Sequence, residues 1–543
     1  MATQPTWTPI GASMTLRQKL TLMGVLMVTM FITVLDSTIV TTAAPRIVAE
    51  LGGFALLSWV FTVFLLASTV TIPIVGKLSD MFGRKQFLLT GIAIFVGASM
   101  LCGAAPTMLT LIIARGIQGV GAGLLISCVF ATLGDIFTPI ERAKYFAILG
   151  GMFTFAQLLG PAVGGVLTDG PGWRWCFYIN LPIGALAAFL IGTRLPAGGG
   201  SGGTWRGIDF LGATLLAIGT AAFMLGANWS SERYGWGSAP TLGLLGGSLV
   251  LAIAFVAQES RHPEAIMPLS LLRNRAWVQA VGIVVLTAGA IGAATQYLPA
   301  FVQTSLGQSA TASGFVIVPQ ALGGFVTTVL SGQIVARTGR YKPVVIIGAI
   351  GALISCLLLR GLNTETSPLW LAAMMVLLGL STGVVFPISQ VVAQASVSQF
   401  QQGTAASSRQ FFLQLSNVFG IGLLGLLLTT SYASNFTDRT ADIAHAIEPA
   451  IYEQFKDPTL ALDAARYEHV RTELRGVPGG DALLASALTN QREAVAHAID
   501  MIFTVSTVSA VALLAVALTL KTIPLRNSFS SDAEETTPSL EPV

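Results

Sequence analysis

The chain has 543 residues, of which 53% are hydrophobic and only 10% are charged. A soluble domain devotes about 25% of its residues to charge, so this composition excludes a water-bathed globule. The formal net charge of +3 is too small to point to nucleic acid; the positions of the charges carry the information.

A helix that crosses the hydrocarbon core needs ~20 mostly apolar residues. Fourteen such stretches follow one another: 20–42, 56–75, 87–105, 107–130, 144–168, 176–195, 208–228, 241–258, 276–302, 311–335, 343–360, 367–392, 403–430 and 494–520. The first runs on into apolar chain rather than into a small-residue cleavage site, so it reads as a retained span. Cys102, Cys128, Cys176 and Cys356 lie in or beside apolar runs without metal-ligand spacing and read as small apolar fillers. Two segments break the rhythm. Residues 431–493 hold ten acidic and six basic residues, and 521–543 form a Ser/Glu/Pro-rich tail expected to be disordered. In the insert, Ile443, Ile447, Ile451 and Phe455 recur every four residues and predict one short amphipathic helix, interrupted by Pro458 and by the Gly-Val-Pro-Gly-Gly run at 476–480. The expectation for the insert as a whole is a solvated loop lying against the membrane.

Lysine and arginine set the orientation. With the amino terminus inside, the inward segments hold seventeen of them: Arg17, Lys19, Lys77, Arg84, Lys85, Arg142, Lys144, Arg194, Arg206, Arg261, Arg273, Arg275, Arg337, Arg340, Lys342, Lys521 and Arg526. The short outward loops hold only Arg46, Arg174, Arg233 and Arg360. Both termini are therefore expected in the cytoplasm, with the 431–493 insert outside.

Two inward loops repeat. Gly76, Gly83 and Arg84 match Gly332, Gly339 and Arg340 at a constant offset of 256. Each loop follows the second span of a set of six if spans seven and eight are an inserted pair, and two parallel halves around a cavity are a transporter architecture. The expected organisation is a cytoplasmic segment 1–19, a six-helix bundle 20–195, two inserted helices in 196–258, a second six-helix bundle 259–520 containing the insert, and the tail 521–543.

Five local patterns resemble the major facilitator superfamily, in its fourteen-span drug:proton antiporter branch. They are Gly76-x-Leu78-x-Asp80-x-x-Gly83-Arg84-Lys85; Arg115-x-x-Gln118-Gly119-x-Gly121-Ala122; Gly160-Pro161-x-x-Gly164-Gly165; Leu35-Asp36-x-Thr38-Ile39; and Trp173-Arg174-Trp175-x-Phe177-x-Ile179-Asn180-x-Pro182. The resemblance covers all but the tail. It implies an all-α polytopic membrane protein with the major facilitator fold, two six-helix bundles plus two inserted helices, that exports multidrug or quaternary-ammonium compounds against protons. The chain departs from the pattern at Thr41-Thr42-Ala43-Ala44-Pro45, at Met81, at Ala156, and at Ala336, where Asp80 would repeat. Its tenth span lacks the extra acid of some relatives, which argues against dications.

An acid at the centre of a membrane helix costs roughly 2.5–3.5 kcal/mol on insertion scales and is usually functional. Asp36 is the candidate proton carrier, and Arg115, which cannot itself release a proton, is the candidate group that sets when it loads. In the loop, Gly76, Asp80, Gly83, Arg84 and Arg142 are expected to form a conformational gate, with Asp80 capping a neighbouring helix and the arginines offering ion pairs across the inner face. Gly160, Pro161, Gly164 and Gly165 are expected to make a tight, bent seam between the halves. Gln157, Gln296, Tyr297, Gln320, Gln390 and Gln414 are candidate cavity-lining residues, with Phe153, Phe155 and Phe301 nearby, for lipophilic neutral or singly cationic substrates. No cofactor or metal is expected, a monomer is the default, and the lipid bilayer of the cell membrane is the medium.

Other classes fit less well. No Gly-x-x-x-x-Gly-Lys-Ser/Thr phosphate loop occurs. His262, His445, His469 and His497 lie in loops or near a span end, so no catalytic cluster is visible. A proton-coupled importer, or an exporter of lipid or another endogenous metabolite, shares every motif except the antiporter-type fifth span.

Overall fold

The computed structural model describes residues 10–53, 56–196, 207–229, 235–457, 460, 464–475 and 479–525. Arg206, Arg233, Arg526, Pro458, residues 476–478 and most of the tail lie outside them. All regular structure among the described residues is helical. Among the described residues, fourteen helices are long and apolar enough to cross a membrane: α1 Leu16–Leu51, α2 Leu57–Phe82, α3 Arg84–Gly103, α4 Met108–Ile136, α5 Pro139–Asp169, α6 Trp175–Arg194, α7 Phe210–Asn228, α8 Ala239–Glu259, α9 Arg275–Thr304, α10 Ala312–Thr338, α11 Lys342–Leu359, α12 Pro368–Ala395, α13 Gln402–Arg439 and α14 Gly480–Thr519.

In the amino half, α4 packs against α2 and α3, α5 against α1, and α6 against α1 and α3. In the carboxy half, α12 packs against α9, α10 and α11, and α14 against α11 and α13. The halves meet where α2 and α4 lie on α13 and where α5 lies on α10 and α12. Helices α7 and α8 pack mainly on each other, and α7 reaches the bundle through α2 and α13. The end that holds Lys77, Arg84, Arg340 and Lys342 is called the basic end here, and the opposite one the far end.

The repeated loops have one physical cause. Gly83 and Gly339 follow the last residues of α2 and α10 with φ of 96° and 67°, a region that L side chains rarely enter. Their amides donate back to the carbonyls of Ser79, at 3.1 Å, and Val335, at 2.8 Å. α9 is interrupted by a π-helical turn, Thr287–Gly292, beside which the Gly289 carbonyl lies so close to Gly420 of α13 that a Cβ there would fall 1.7 Å from it.

The described part of the insert is helical and packed rather than a solvated loop. α13 has 38 residues, about 57 Å of helix against a hydrocarbon core of ~30 Å, so it projects beyond the membrane at the far end, as does α14. Between them lie Ala441–Ala446, Pro449–Phe455 and Ala464–Leu474. Ile443, Ile447, Ile451 and Phe455 are buried, but on two helices broken at Ile447 rather than on one. They pack with Tyr432, Phe436 and Tyr452, whose rings stack in series. The Tyr432 hydroxyl donates to the Phe455 carbonyl at 2.6 Å, and the Gln491 amide to that of Asp457 at 2.9 Å. Apolar side chains outside the bilayer must find a core of their own, and the extended ends of α13 and α14 supply its walls. The first tail residues are tied down too: the Lys521 amide donates to Gln279 and the Ile523 amide to the Tyr341 hydroxyl.

Candidate functional site

Arg115 and Gln118 stand three residues apart and so share a face of α4. That face meets Asp36 on α1, Ser99 on α3 and Asn180 on α6, and all five side chains are at most 1% exposed. Arg115 Nη1 donates to Asp36 Oδ2 at 2.5 Å and to Gln118 Oε1 at 2.8 Å. Gln118 Nε2 and Asn180 Nδ2 donate to Asp36 Oδ1 at 2.9 and 2.8 Å. Both amides also donate to Ser99 Oγ, at 3.2 and 2.8 Å, and Ser99 passes the chain on to the Phe177 carbonyl at 2.9 Å. Arg115 Nε reaches the Val60 carbonyl at 3.3 Å, and its guanidinium carbon lies 4.0 Å from the Phe64 ring centroid. Each of the three side chains that hydrogen-bond the Asp36 carboxylate is a donor. Arg46 pairs instead with Asp169, at 4.0 Å. Of these partners, Gln118 and Asn180 are visible in the sequence only as motif letters, and Ser99 carries no signal there.

The second polar cluster joins α2, α4 and α13 at the basic end. Asp80 Oδ2 accepts from both the amide and the hydroxyl of Thr404, each at 2.8 Å. Thr404 lies in the first turn of α13, whose preceding residue Gln401 makes no side-chain cap of its own; a carboxylate there satisfies an orphan amide and complements the helix dipole. Asp80 Oδ1 holds Arg84, whose Nε reaches Asp135 Oδ2 at 3.0 Å and whose Nη1 reaches Ser79 Oγ at 2.6 Å. Gly76 lets the helices close, since a Cβ there would fall 1.8 Å from Ser407 Oγ. Ion pairs across the inner face are not what the arginines make. Arg84 stays within the amino half, and Arg142 donates to the carbonyls of Phe137, at 2.9 Å, and Gly134, because the short α4–α5 turn leaves helix-end acceptors to satisfy.

The motif glycines Gly160 and Gly164 of α5 face their own half. A Cβ on Gly160 would strike Thr38 Oγ1 at 1.8 Å, and one on Gly164 would lie 3.0 Å from the Ile39 carbonyl, both on α1. Gly165 falls off this stripe into open space, and α5 continues through Pro161. The seam between halves is built elsewhere, where Gly150 and Gly151 of α5 meet Thr328 and Phe325 of α10, and Gly332 meets Ala143 and Ala147.

Of the candidate cavity residues, Gln157 and Gln296 are exposed, and Gln320 and Gln414 half-buried. The Tyr297 hydroxyl donates to the Ile421 carbonyl on α13. Gln390 is fully buried and accepts from an arginine. Arg409, on α13, lies in the predicted span 403–430 but in none of the motifs. Its guanidinium donates to Gln390 Oε1 at 2.9 Å, to Ser389 Oγ at 2.6 Å and to the Phe386 carbonyl at 3.3 Å, and lies 5.0 Å from the Phe386 ring centroid. It is 0% exposed, and among the described residues it has no carboxylate partner. Phe386 in turn packs on Phe130 and Phe153 of the amino half.

Residues 26–421 match the sequence profile of the Major Facilitator Superfamily. The multidrug transporter protein MdtP of Bacillus subtilis (strain 168) is 36% identical over 416 residues, 76% of this chain and 76% of that protein. Multidrug resistance protein 3 of the same organism is 32% identical over 437 residues, 80% of this chain and 84% of that protein. Among solved structures, the human organic anion transporter MFSD10 (TETRAN) superposes with a TM-score of 0.55 at 16% identity over 75% of this chain and 93% of that one, a likeness of fold. Fourteen membrane-length helices, the matched profile and these relatives together establish that the chain belongs to the Major Facilitator Superfamily and is a multi-pass membrane transporter.

Proposed function

We propose that the transporter exports lipophilic, neutral or singly cationic small molecules by alternating access, in exchange for protons carried on Asp36. The observation that carries this reading is the fully buried Asp36 carboxylate, held by Arg115, Gln118 and Asn180. Three donors and no acceptor make a shell for the anion. Arg115 sits on α4 while Asp36 sits on α1, so relative motion of these helices, with turning of the two amides, couples proton loading to conformation. The clusters at Asp80, Arg84 and Gly76 close the basic end; with the basic end inside, as the lysine and arginine bias argues, this is the outward-facing or occluded arm of the cycle. Both termini are then cytoplasmic, Gly83 sets the loop, and Arg142 braces the α4–α5 turn. The names of the Bacillus subtilis relatives support multidrug substrates. On this reading the protein works in the cell membrane, driven by the proton gradient alone.

In proteoliposomes under an imposed pH gradient, Asp36→Asn should lose gradient-driven transport while gradient-independent exchange of substrate, which shows that the protein is folded, is retained; its melting temperature should fall, because Arg115 stays buried without its anion. Asp36→Glu should keep part of the driven transport. A variant Asp36→Asn that follows the pH gradient as the parent does overturns the assignment.

A further inference from the structure

Two cavities meet where the inserted helix pair joins the carboxy half. One, of about 600 Å³, lies among α7, α8 and α13 and is walled by Phe223, Leu249, Phe255, Phe411, Phe412 and Phe419. Its wall is almost wholly apolar, and the one serine with an assigned bond there, Ser248, already donates to the Leu245 carbonyl at 2.7 Å. Leu249, Val256 and Leu272 of this wall are 63%, 46% and 48% exposed, and at the depth of α7 and α8 that exposure faces hydrocarbon. The second cavity, about 610 Å³, continues from the first at Leu269 toward the basic end, where Arg273, Arg275 and Lys521 converge. Helix Leu269–Arg273 forms the hinge between them: Leu269 and Leu272 turn to the apolar side, Ser270 and Arg273 to the polar one.

The acid at the rim is already engaged. Glu259 accepts the amides of Ile266 and Met267, each at 3.1 Å. None of the three basic side chains has an ion-pair partner among the described residues. An apolar slot opening sideways onto lipid and ending in unpaired cations at the membrane surface has the shape and charge of an amphiphile with an anionic head. A lipophilic drug would need polar groups inside the slot to orient it, and this slot offers almost none.

We infer that this is a binding site for an anionic phospholipid of the leaflet at the basic end, with an acyl chain between the inserted pair and α13 and the headgroup phosphate on Arg273, Arg275 and Lys521. The lipid then fills the joint between the inserted helices and α13, the same helix that carries Thr404 and Arg409. The site stands whether or not Asp36 carries a proton.

Native mass spectrometry of the full-length protein with added phosphatidylglycerol or phosphatidylcholine tests it. The parent should retain phosphatidylglycerol with a preference of at least about tenfold, given three cations near the surface. The triple variant R273Q/R275Q/K521Q should lose the preference but keep weak binding of both lipids. Ala252→Trp, which fills the apolar slot and leaves the cations in place, should weaken both. Equal binding of the two lipids by the parent, or unchanged phosphatidylglycerol binding in both variants, overturns the site. So does a lipophilic dye that is displaced by Ala252→Trp while phosphatidylglycerol binding is untouched, since the slot would then belong to substrate.

Discussion

The α2–α13 and α10–α5 joints are repeats of each other, and they close by different chemistry. Each places a glycine against the other half, Gly76 on Ser407 and Gly332 on Ala143 and Ala147, and each helix ends in a left-handed glycine, Gly83 or Gly339. At the first joint Asp80 caps α13 across the interface, and Arg84 is buried between Asp80 and Asp135. At the second, Ala336 stands at the repeated position and Arg340 is exposed. The helix starts explain the difference. α5 has proline at its first position and its own carboxylate, Glu141, accepting the Thr138 amide at 2.9 Å. α13 has neither, so its first turn depends on a carboxylate from the other half. Backbone proximity is duplicated, and the polar latch is single.

The largest effect is expected from the shared feature. Gly332→Ala drives a methyl to 2.2 Å from Ala147 Cβ and 2.5 Å from the Ala143 carbonyl, atoms that no rotamer change can move, and overpacking costs about 1–3 kcal/mol. Transport should fall roughly tenfold or more, by the factor of ten per 1.4 kcal/mol. Gly76→Ala should cost less and be largely restored by Ser407→Gly, because its severe clash is with the Ser407 side chain and the nearest backbone atom, the Gly403 carbonyl oxygen, lies at 3.2 Å. Equal loss in both, without rescue, would show that the joints do not differ in this way.

Asp80→Asn comes next. It keeps the shape but removes the charge from a hydrogen bond of the class that contributes about 1.5–3 kcal/mol. The population closed at the basic end should fall by roughly tenfold, read as increased labelling of a cysteine placed there or as a longer spin-label distance between α2 and α13. Unchanged labelling would remove Asp80 from the latch.

The smallest effect belongs to Ala336→Asp. Because Glu141 already serves the start of α5, the added carboxylate should change transport and labelling by less than about twofold, the scale of an exposed charge pair. A shift as large as that of Asp80→Asn, in the opposite direction, would mean that the second joint lacks a latch only for want of the acid.

Much of this was legible before the structure. Asp36 and Arg115 stand out because an ion in an apolar run must have a partner, and Gly76, Asp80 and Gly83 because their spacing exceeds what a positive-inside loop requires. What was misplaced depended on helical phase and on neighbours distant in the chain. Gly160 and Gly164 share a stripe whatever they face, and only packing turns that stripe toward α1 rather than toward the other half. Gln390 has the composition of a cavity residue and the position of an arginine ligand. Arg409 was overlooked because its partners Ser389 and Gln390 are neutral and lie on another helix.

The sequence by itself determined the medium, the number of spans, the repeat and the buried acid, because these follow from local hydropathy, spacing and the cost of a charge in hydrocarbon. Only the tertiary structure decided that three donors surround Asp36, that the neighbouring helix capped by Asp80 is α13, and that Ala441–Ala446, Pro449–Phe455 and Ala464–Leu474 are helices standing between α13 and α14. Those outcomes depend on which helix faces lie together, and side chains hundreds of residues apart meet only when the bundle has closed.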